Sequence, residues 1–253
     1  MTIKIKIAGL LFATSLLLST LISQPEEIIV PENKGIAVIE LFTSQGCSSC
    51  PSADKLLSEI IDNSSKNDLP VYGLSFHVDY WNRLGWKDPY SSKAFTDRQY
   101  AYARKLNSRS VYTPQMIVNG NNEFVGSNKR TASSAIRTGL ANTDRDIISS
   151  GQVLKSKNRL GISFEIEGEV ENKWLNIALV QRDISTKVPR GENRGRTLHH
   201  DNVVRAFQQV QADTKGMVYI QIPEGIDLEK SQVILYTQNQ NTFEVEGATK
   251  LKL

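Results

Sequence analysis

The sequence predicts an α/β protein in two parts: an α/β domain over residues 34–148, and a smaller, mainly-β, sandwich-like domain over residues 151–253. Three observations support this prediction. Before Ser149, segments with helical and strand periods alternate along the chain. After Gly151, short alternating strands and turns predominate. The chain has 253 residues and 40% hydrophobic content, which is enough to bury cores without disulfide bonds.

The N-terminal segment, residues 1–23, predicts a secretory signal peptide. Lys4 and Lys6 precede an apolar run that ends at Ile22, and a basic region followed by an apolar one is typical of such signals. An uncleaved membrane anchor is the alternative, because Leu21 is bulkier than the small residue usual near a cleavage site. We therefore expect an exported protein, in the periplasm or the extracellular space, without membrane contact beyond this segment.

The first domain begins with a strand, a helix and a second strand. Residues 36–42 form a buried-strand run with a single charge, and residues 71–78 form the second strand. Between them, apolar residues at helical spacing predict an amphipathic helix: Ala53, Leu56, Leu57, Ile60 and Ile61. Pro51 fits the first turn of that helix, where its missing N–H leaves no bond unmade. This order favours a parallel pair of strands with a right-handed crossover.

The rest of the first domain is predicted to be a helical insert followed by two strands and a helix. A helix is expected from Ser92 to Leu106, after an aromatic stretch. A strand at residues 115–118 returns through an Asn-Gly turn into a second strand at residues 123–125. Asn128 or Ser127 is expected to cap the last helix.

The second domain is predicted from alternation alone. Apolar and polar residues alternate around Ile162, Leu175, Val218 and Val233, with a turn at residues 223–225. This pattern indicates the short strands of a small β-sandwich.

Both cysteines of the chain stand in the stretch FTSQGCSSCP, at the head of the first helix. A helix N-terminus stabilises a thiolate through its free N–H groups and its dipole, so Cys47 is predicted to be the exposed and nucleophilic thiol. Cys50, one turn further on, is placed to resolve a mixed disulfide. The hydroxyl groups of Ser48 and Ser49 are expected to donate hydrogen bonds to the thiolate.

Two other interpretations of the cysteine pair stay open. One is a permanently closed structural disulfide, although so short a loop constrains the unfolded chain little. The other is metal binding, in which His77, or the neighbours His199 and His200, would complete a Cys₂His or Cys₂His₂ site.

Polar and aromatic residues follow the second strand. His77 and Asp79 project to the same side of an extended chain, and at this edge of the sheet they could form a hydrogen-bonded acid/base pair near the thiols. The alternative is that His77 is a satisfied core residue and that Trp81 and its aromatic neighbours cover the sheet. Such a cover would still shape a groove for substrate beside the thiols.

These features resemble the thioredoxin fold, in which Cys-x-x-Cys opens the first helix and an x-Pro pair, here Thr113-Pro114, precedes a ββα half. The resemblance implies that the bond before Pro114 is cis and that Pro114 faces the cysteine pair. It also implies that the backbone of Thr113 holds a substrate chain as an added strand. The insert between the two halves indicates an elaborated member.

Longer motifs resemble a family of secreted bacterial proteins described as domain of unknown function 1223 (DUF1223), for which no reaction is established. They occur in the family's order and cover most of the mature chain: ELFTSQGCSSCPSAD, FHVDYWNRLGWKDPYSSKAFTDRQYAYA, YTPQMIVNG and GENRGRTLHHDNVVR. The resemblance supports the architecture more than any activity.

The last of these motifs, residues 191–205, is dense in arginine and histidine. We expect it to fold back on the first domain and to complete the site around Cys47 through Arg196, His199 and Arg205. Clustered cations need nearby anions, and the expected ones are Glu40, Asp54 and Asp79. The alternative is a solvated loop that serves only its own strands.

The function these expectations favour is that of an exported thiol–disulfide oxidoreductase, whose Cys47–Cys50 pair exchanges with a protein or small-molecule thiol or disulfide. Two alternatives stay open: a non-catalytic thioredoxin-fold protein that binds a peptide beside Pro114, and a metal carrier that uses both thiols and a histidine. The oxidoreductase needs no cofactor and no resident metal. Acidic and basic residues are spread along a chain of net charge +3, which gives no sign of nucleic acid. The sequence indicates neither the oligomeric state nor the direction of electron flow.

Overall fold

A computed structural model describes residues 35–253, and the predicted signal segment, residues 1–23, lies outside them. The strands are β1 Ala37–Thr43, β2 Val71–His77, β3 Gln115–Val118, β4 Asn122–Val125, β5 Ile147–Lys155, β6 Arg159–Glu167, β7 Lys173–Gln181, β8 Ile184–Lys187, β9 Thr197–His200, β10 Val203–Gln211, β11 Lys215–Gln221, β12 Ser231–Asn239 and β13 Val245–Lys252. The helices are α1 Pro51–Lys66, α2 Lys93–Lys105 and α3 Lys129–Ala141, with a short 3-10 helix at Tyr80–Leu84.

Eight strands form one mixed sheet, in the order β13-β12-β7-β10-β2-β1-β3-β4. β1 and β2 are parallel, as the strand–helix–strand order predicts, whereas β3 runs antiparallel to both β1 and β4. A three-stranded sheet, β11-β6-β5, and a hairpin of β8 and β9 complete the β structure of these residues. None of the helices within residues 35–253 is long and apolar enough to cross a membrane.

The elements predicted for residues 36–141 are present. The strand expected at residues 115–118 has those bounds as β3. Ser92 caps α2 by accepting the N–H of Ala94, and Asn128, rather than Ser127, caps α3 by accepting the N–H of Thr131. Local sequence signals therefore decide this half of the chain.

The large sheet crosses the boundary predicted between residues 148 and 151. That boundary falls inside β5, and β10, from the second half, pairs in parallel with β2, from the first. Asn202 fixes this junction, because its Nδ2 donates to Gly73 O at 2.8 Å and its carbonyl accepts the N–H of Ser75 at 2.9 Å. Strands from both predicted domains thus share one sheet.

Each face of the large sheet is covered by a different layer. Helix α2 lies on one face, over an apolar cluster that continues from β1 to β13 and includes Phe42, Phe76 and Tyr236. On the other face, α1 packs on β2, where Leu57 and Ile61 lie against Gly73. Further along that face the three-stranded sheet packs on β7 and β12, which is sheet-on-sheet packing.

A buried ion pair of the first half is hydrogen-bonded to a strand of the second half. Arg98, on α2, donates to both carboxylate oxygens of Glu40, on β1, at 2.6 and 2.7 Å. Arg98 also donates to Tyr236 Oη at 3.0 Å and to Gln238 Oε1 at 3.2 Å, both on β12. Tyr102 Oη donates to Glu40 at 2.6 Å. The carboxylate of Glu40, the one charged residue of the first strand, therefore binds side chains of α2 and β12.

Candidate active site

Cys47 and Cys50 form a disulfide bond at the N-terminus of α1, with Cα atoms 5.4 Å apart. Pro51 takes the first helical position, as predicted, and Cys50 is the N-cap. Both cysteines have no exposed surface. The prediction that Cys47 is exposed is therefore wrong for the oxidised protein, because a loop from the second half of the chain covers it.

The backbone that precedes β3 lies against the disulfide. The bond between Thr113 and Pro114 is cis, as the resemblance implied. Cys47 Sγ lies 3.9 Å from the Thr113 carbonyl oxygen. Trp81 Nε1 donates to Thr113 Oγ1 at 2.7 Å and holds that residue in place. The structure thus brings Cys47, Trp81 and Thr113-Pro114 together.

The two serines between the cysteines have different surroundings. Ser49 Oγ lies 3.3 Å from Cys47 Sγ and 3.5 Å from Thr113 O, so its hydroxyl is in place to donate to a thiolate. Ser48 is exposed, and its backbone N–H donates to Glu192 Oε2 at 2.8 Å. Hydrogen bonds from Ser48 lower the pKa of Glu192. Ser49 thus has the geometry expected of both serines, whereas Ser48 contacts the covering loop.

Residues 188–196, which we call the cover loop, join β8 to β9 and lie over the cysteine pair. Asn193 is fully buried, and its Nδ2 donates to the carbonyls of Gln45 at 3.0 Å and Cys47 at 2.8 Å. Arg196 Nη1 donates to Asn193 Oδ1 at 2.8 Å and so orients the amide. The predicted return of residues 191–205 to the first domain is confirmed by this geometry.

Two other residues predicted for the site are bound elsewhere. His199 is exposed, and its Nδ1 lies 2.8 Å from Ser185 Oγ across the β8–β9 hairpin. Arg205 donates to Gln181 Oε1 and lies 5.1 Å from the centre of the Tyr90 ring. His199 and Arg205 therefore do not join Arg196 at the cover loop, contrary to the prediction.

Two of the three carboxylates expected to compensate the arginines and histidines of residues 191–205 have other partners. Glu40 binds Arg98. Asp79 accepts a hydrogen bond from Thr96 Oγ1 at 2.6 Å. The expected pairing was wrong for these two because α2 brings its own donors, Arg98 and Thr96, onto Glu40 and Asp79. Asp54 does face the segment, as expected, because its Oδ1 lies 3.6 Å from His200 Nδ1.

His77 is fully buried and pairs with Asp88, not with Asp79. His77 Nδ1 and Asp88 Oδ2 are 2.8 Å apart, and the same oxygen accepts the N–H of Gln45 at 2.9 Å. The predicted His77–Asp79 pair is wrong because the chain leaves the extended conformation: Asp79 is the N-cap of the 3-10 helix, with φ −94° and ψ −11°. The alternation of an extended strand no longer applies there.

The surroundings of His77 and Asp88 favour the charged form of both side chains. Burial alone lowers the pKa of His77, but the charge of Asp88, its hydrogen bond and the charge of Asp54 raise that pKa above the usual 6.5. Burial raises the pKa of Asp88, but the charge and hydrogen bond of His77, with the N–H groups of Gln45 and Tyr90, lower it overall.

This ion pair predicts a pH-dependent contribution to stability. Because folding raises the pKa of His77, the contribution is complete below about pH 6.5 and falls as the pH rises through the folded pKa. Asp88 contributes in the opposite sense, above about pH 3.9, so its contribution is constant near neutrality. In urea unfolding of the oxidised protein, His77→Gln should therefore cost more at about pH 6 than at about pH 9. An equal cost of His77→Gln at both pH values would contradict the prediction.

Sequence reasoning missed Glu192, Asn193 and Asp88. Glu192 and Asn193 stand among arginines, and a neutral amide that caps two carbonyl groups carries no charge signal. Asp88 precedes Pro89, and an Asp-Pro pair favours turn initiation, but nothing in the sequence connects that turn with His77. Within residues 35–253, no group of three His, Cys, Asp or Glu side chains is placed to hold a metal ion. The metal-carrier alternative gains no support from this part of the chain.

Comparisons with known proteins agree with the sequence motifs. The model of the family described as "Protein of unknown function (DUF1223)" matches residues 38–238. The crystal structure of protein AGR_C_4864 from Agrobacterium tumefaciens is 30% identical, with 86% of this chain and 94% of that chain covered and a TM-score of 0.62. A β-glucosidase from Kluyveromyces marxianus is 9% identical over 45% of this chain and 14% of its own, and its TM-score of 0.21 is too low for any argument. No curated protein matches the chain.

Proposed function

We propose that this chain, which belongs to the DUF1223 family, is an exported thiol–disulfide oxidoreductase. The observation that carries the proposal is the position of the Cys47–Cys50 disulfide. It lies at a helix N-terminus, with the Ser49 hydroxyl 3.3 Å from Cys47 Sγ. The free N–H groups and the dipole of the helix stabilise a thiolate at that position. The substrate is a protein or small-molecule thiol or disulfide, and no cofactor takes part.

The topology supports a thioredoxin-like assignment for residues 37–141. β1, α1 and β2 form a unit with parallel strands, and β3, β4 and α3 follow after α2. The strands lie in the spatial order β2-β1-β3-β4 and the cysteine pair opens α1, which supports the assignment. Export is proposed from residues 1–23 alone, and the groove for substrate from Trp81 and Thr113-Pro114.

The exchange balances without any other reactant. A substrate thiolate attacks Cys47 Sγ, the bond to Cys50 breaks, and Cys50 leaves as a thiolate that takes up a proton. A second substrate thiolate then attacks the mixed disulfide and releases Cys47. Two electrons pass from the substrate thiols to the pair, and the reverse sequence reduces a substrate disulfide while the pair is oxidised. A purely structural role is weaker, because closing so small a loop stabilises a fold by only about 2 kcal/mol in the chain-entropy account.

Cys50→Ser should accumulate mixed disulfides, because the nucleophilic thiol of Cys47 is retained while the resolving thiol of Cys50 is removed. Reduced proteins would be mixed with oxidised glutathione and followed by intact mass spectrometry. The variant should hold one stable glutathione adduct, the wild type should lose its adduct as Cys50 closes the disulfide, and Cys47→Ser should accumulate less. Failure of Cys50→Ser to form any adduct, while a small free thiol does, would refute the proposal. In that case a non-catalytic binding protein, which retains peptide affinity after both thiols are alkylated, would be favoured.

A further inference from the structure

Several buried polar groups close to the N-terminus of α1 have no hydrogen-bond partner. Among the buried side-chain atoms of residues 35–253 without a hydrogen-bond partner are both carboxylate oxygens of Asp54, Nε2 of His77, and Nδ1 and Nε2 of His200. These three residues are each 4% exposed or less. A buried polar atom left unpaired costs roughly 1–3 kcal/mol. Such a concentration of cost at one place points to a chemical role.

Helical geometry connects this group to Cys50. Asp54 stands one turn after Cys50 on α1, and its N–H donates to Cys50 O at 3.1 Å. Helical side chains lean toward the helix N-terminus, so the side chain of Asp54 lies over the turn that contains Cys50. Asp54 Oδ1 is 3.6 Å from His200 Nδ1, and the rings of His200 and His77 are 4.8 Å apart. A chain of buried titratable groups therefore extends from Cys50 to the His77–Asp88 pair.

Cys50 needs a proton acceptor inside the protein. It has no exposed surface, so bulk water cannot take its proton directly. Burial also disfavours the thiolate that must attack the mixed disulfide on Cys47. The titratable groups that face Asp54 are Cys50 on its own helix, His200 on β9 and His77 on β2, with Asp88 behind His77. Of these, Asp54 is the group on the same helix as Cys50, one turn after it.

We propose that Asp54 accepts the proton of the Cys50 thiol during resolution and returns it when the disulfide opens, with His200 and His77 as positioning residues. This inference rests on the proposed function. In resolution, Asp54 takes the proton of Cys50, the thiolate forms the bond to Cys47 Sγ, and the substrate sulfur leaves with the electron pair of the broken bond. In the reverse direction, Cys50 leaves as a thiolate and Asp54 protonates it. The substrate disulfide or dithiol is the only co-reactant.

The two thiol steps can be measured separately in one reaction. Reduced protein mixed with 5,5′-dithiobis(2-nitrobenzoate) in the presence of EDTA releases one thionitrobenzoate when Cys47 reacts and a second when Cys50 resolves the adduct. Asp54→Asn should slow the second, first-order release on the order of 10²-fold and move its pH profile upward. The first, bimolecular release should change less than about twofold, as a base that serves only Cys50 requires. Glu59→Gln, an exposed carboxylate on the same helix, is the matched control and should change neither.

Two further variants keep the inference falsifiable if Asp54→Asn does not fold. His200→Gln should slow the second release while leaving the first unchanged. Asp54→Ala should be slow, and added formate should restore its second release, which a merely structural role would not explain. An unchanged second release in Asp54→Asn or His200→Gln, relative to Glu59→Gln, overturns the inference while the proposed function stands. A wild-type protein that reacts but never gives the second release overturns the proposed function itself.

Discussion

Replacement of Arg98 by methionine should lower the free energy of unfolding by about 3–5 kcal/mol, because it leaves a buried carboxylate without its cation. Glu40 is 1% exposed and sits between β1, α2 and β12. The variant also removes donors to Tyr236 and Gln238, which tie the second half of the chain to the first. Urea unfolding of the oxidised protein at neutral pH would measure the loss.

Two control proteins separate the charge effect from the change of side chain. Arg104→Met, on the exposed side of α2, should stay within about 0.5 kcal/mol of wild type. The double variant Glu40→Leu with Arg98→Met should recover much of the loss, because removing both partners leaves no uncompensated charge. A cost of Arg98→Met no greater than that of Arg104→Met would show that the pair contributes nothing to stability.

Asn193→Ala should make the reduced cysteine pair accessible. The substitution removes the amide that caps the carbonyls of Gln45 and Cys47. Losing such a donor from a buried position costs roughly 1–3 kcal/mol, and each 1.4 kcal/mol is a tenfold change in an equilibrium constant. If alkylation of Cys47 requires the cover loop to open, its rate with iodoacetamide should rise on the order of tenfold or more.

Two substitutions on the same loop calibrate this effect. Arg194→Ala removes an exposed side chain and should leave the alkylation rate unchanged. Arg196→Ala keeps the amide but removes the donor that orients it, so its rate should lie between the other two. If Asn193→Ala alkylates no faster than Arg194→Ala, the loop does not limit access to Cys47.

The first half of the fold could be predicted because local signals decide it. The apolar spacing of α1, the cap at Ser92 and the cap at Asn128 act within a few residues of one another. β10 gave no comparable signal, because its place beside β2 depends on a junction whose residues, Asn202 and Gly73, are 129 positions apart. Buried and exposed residues do alternate in β9, where Leu198 and His200 are buried. Because one of the two buried residues is a histidine, the sequence shows no alternation of apolar and polar residues there.

The candidate site was predictable where backbone rules apply and not where side chains choose partners. The predicted start of α1 accounts for the position of Cys47 and Cys50, and the resemblance to the thioredoxin fold implied the cis bond before Pro114. The hydrogen-bond partner of His77 depends on how the chain turns after β2, and that turn brings Asp88 rather than Asp79 to the ring. Charge arguments drew attention to arginines, whereas the contact that closes the site is made by the neutral side chain of Asn193.

The distance along the chain between the cysteines and their cover has a consequence for biogenesis. Asn193 follows Cys47 by 146 residues. During synthesis, or during passage through a membrane from the N-terminus onward, both thiols emerge well before the segment that buries them. If the chain is exported as proposed, they meet the oxidants and thiols of the destination compartment before the cover loop has formed. We expect the pair to take its first oxidation state before the cover loop buries it. Only later changes of that oxidation state depend on the opening of the loop.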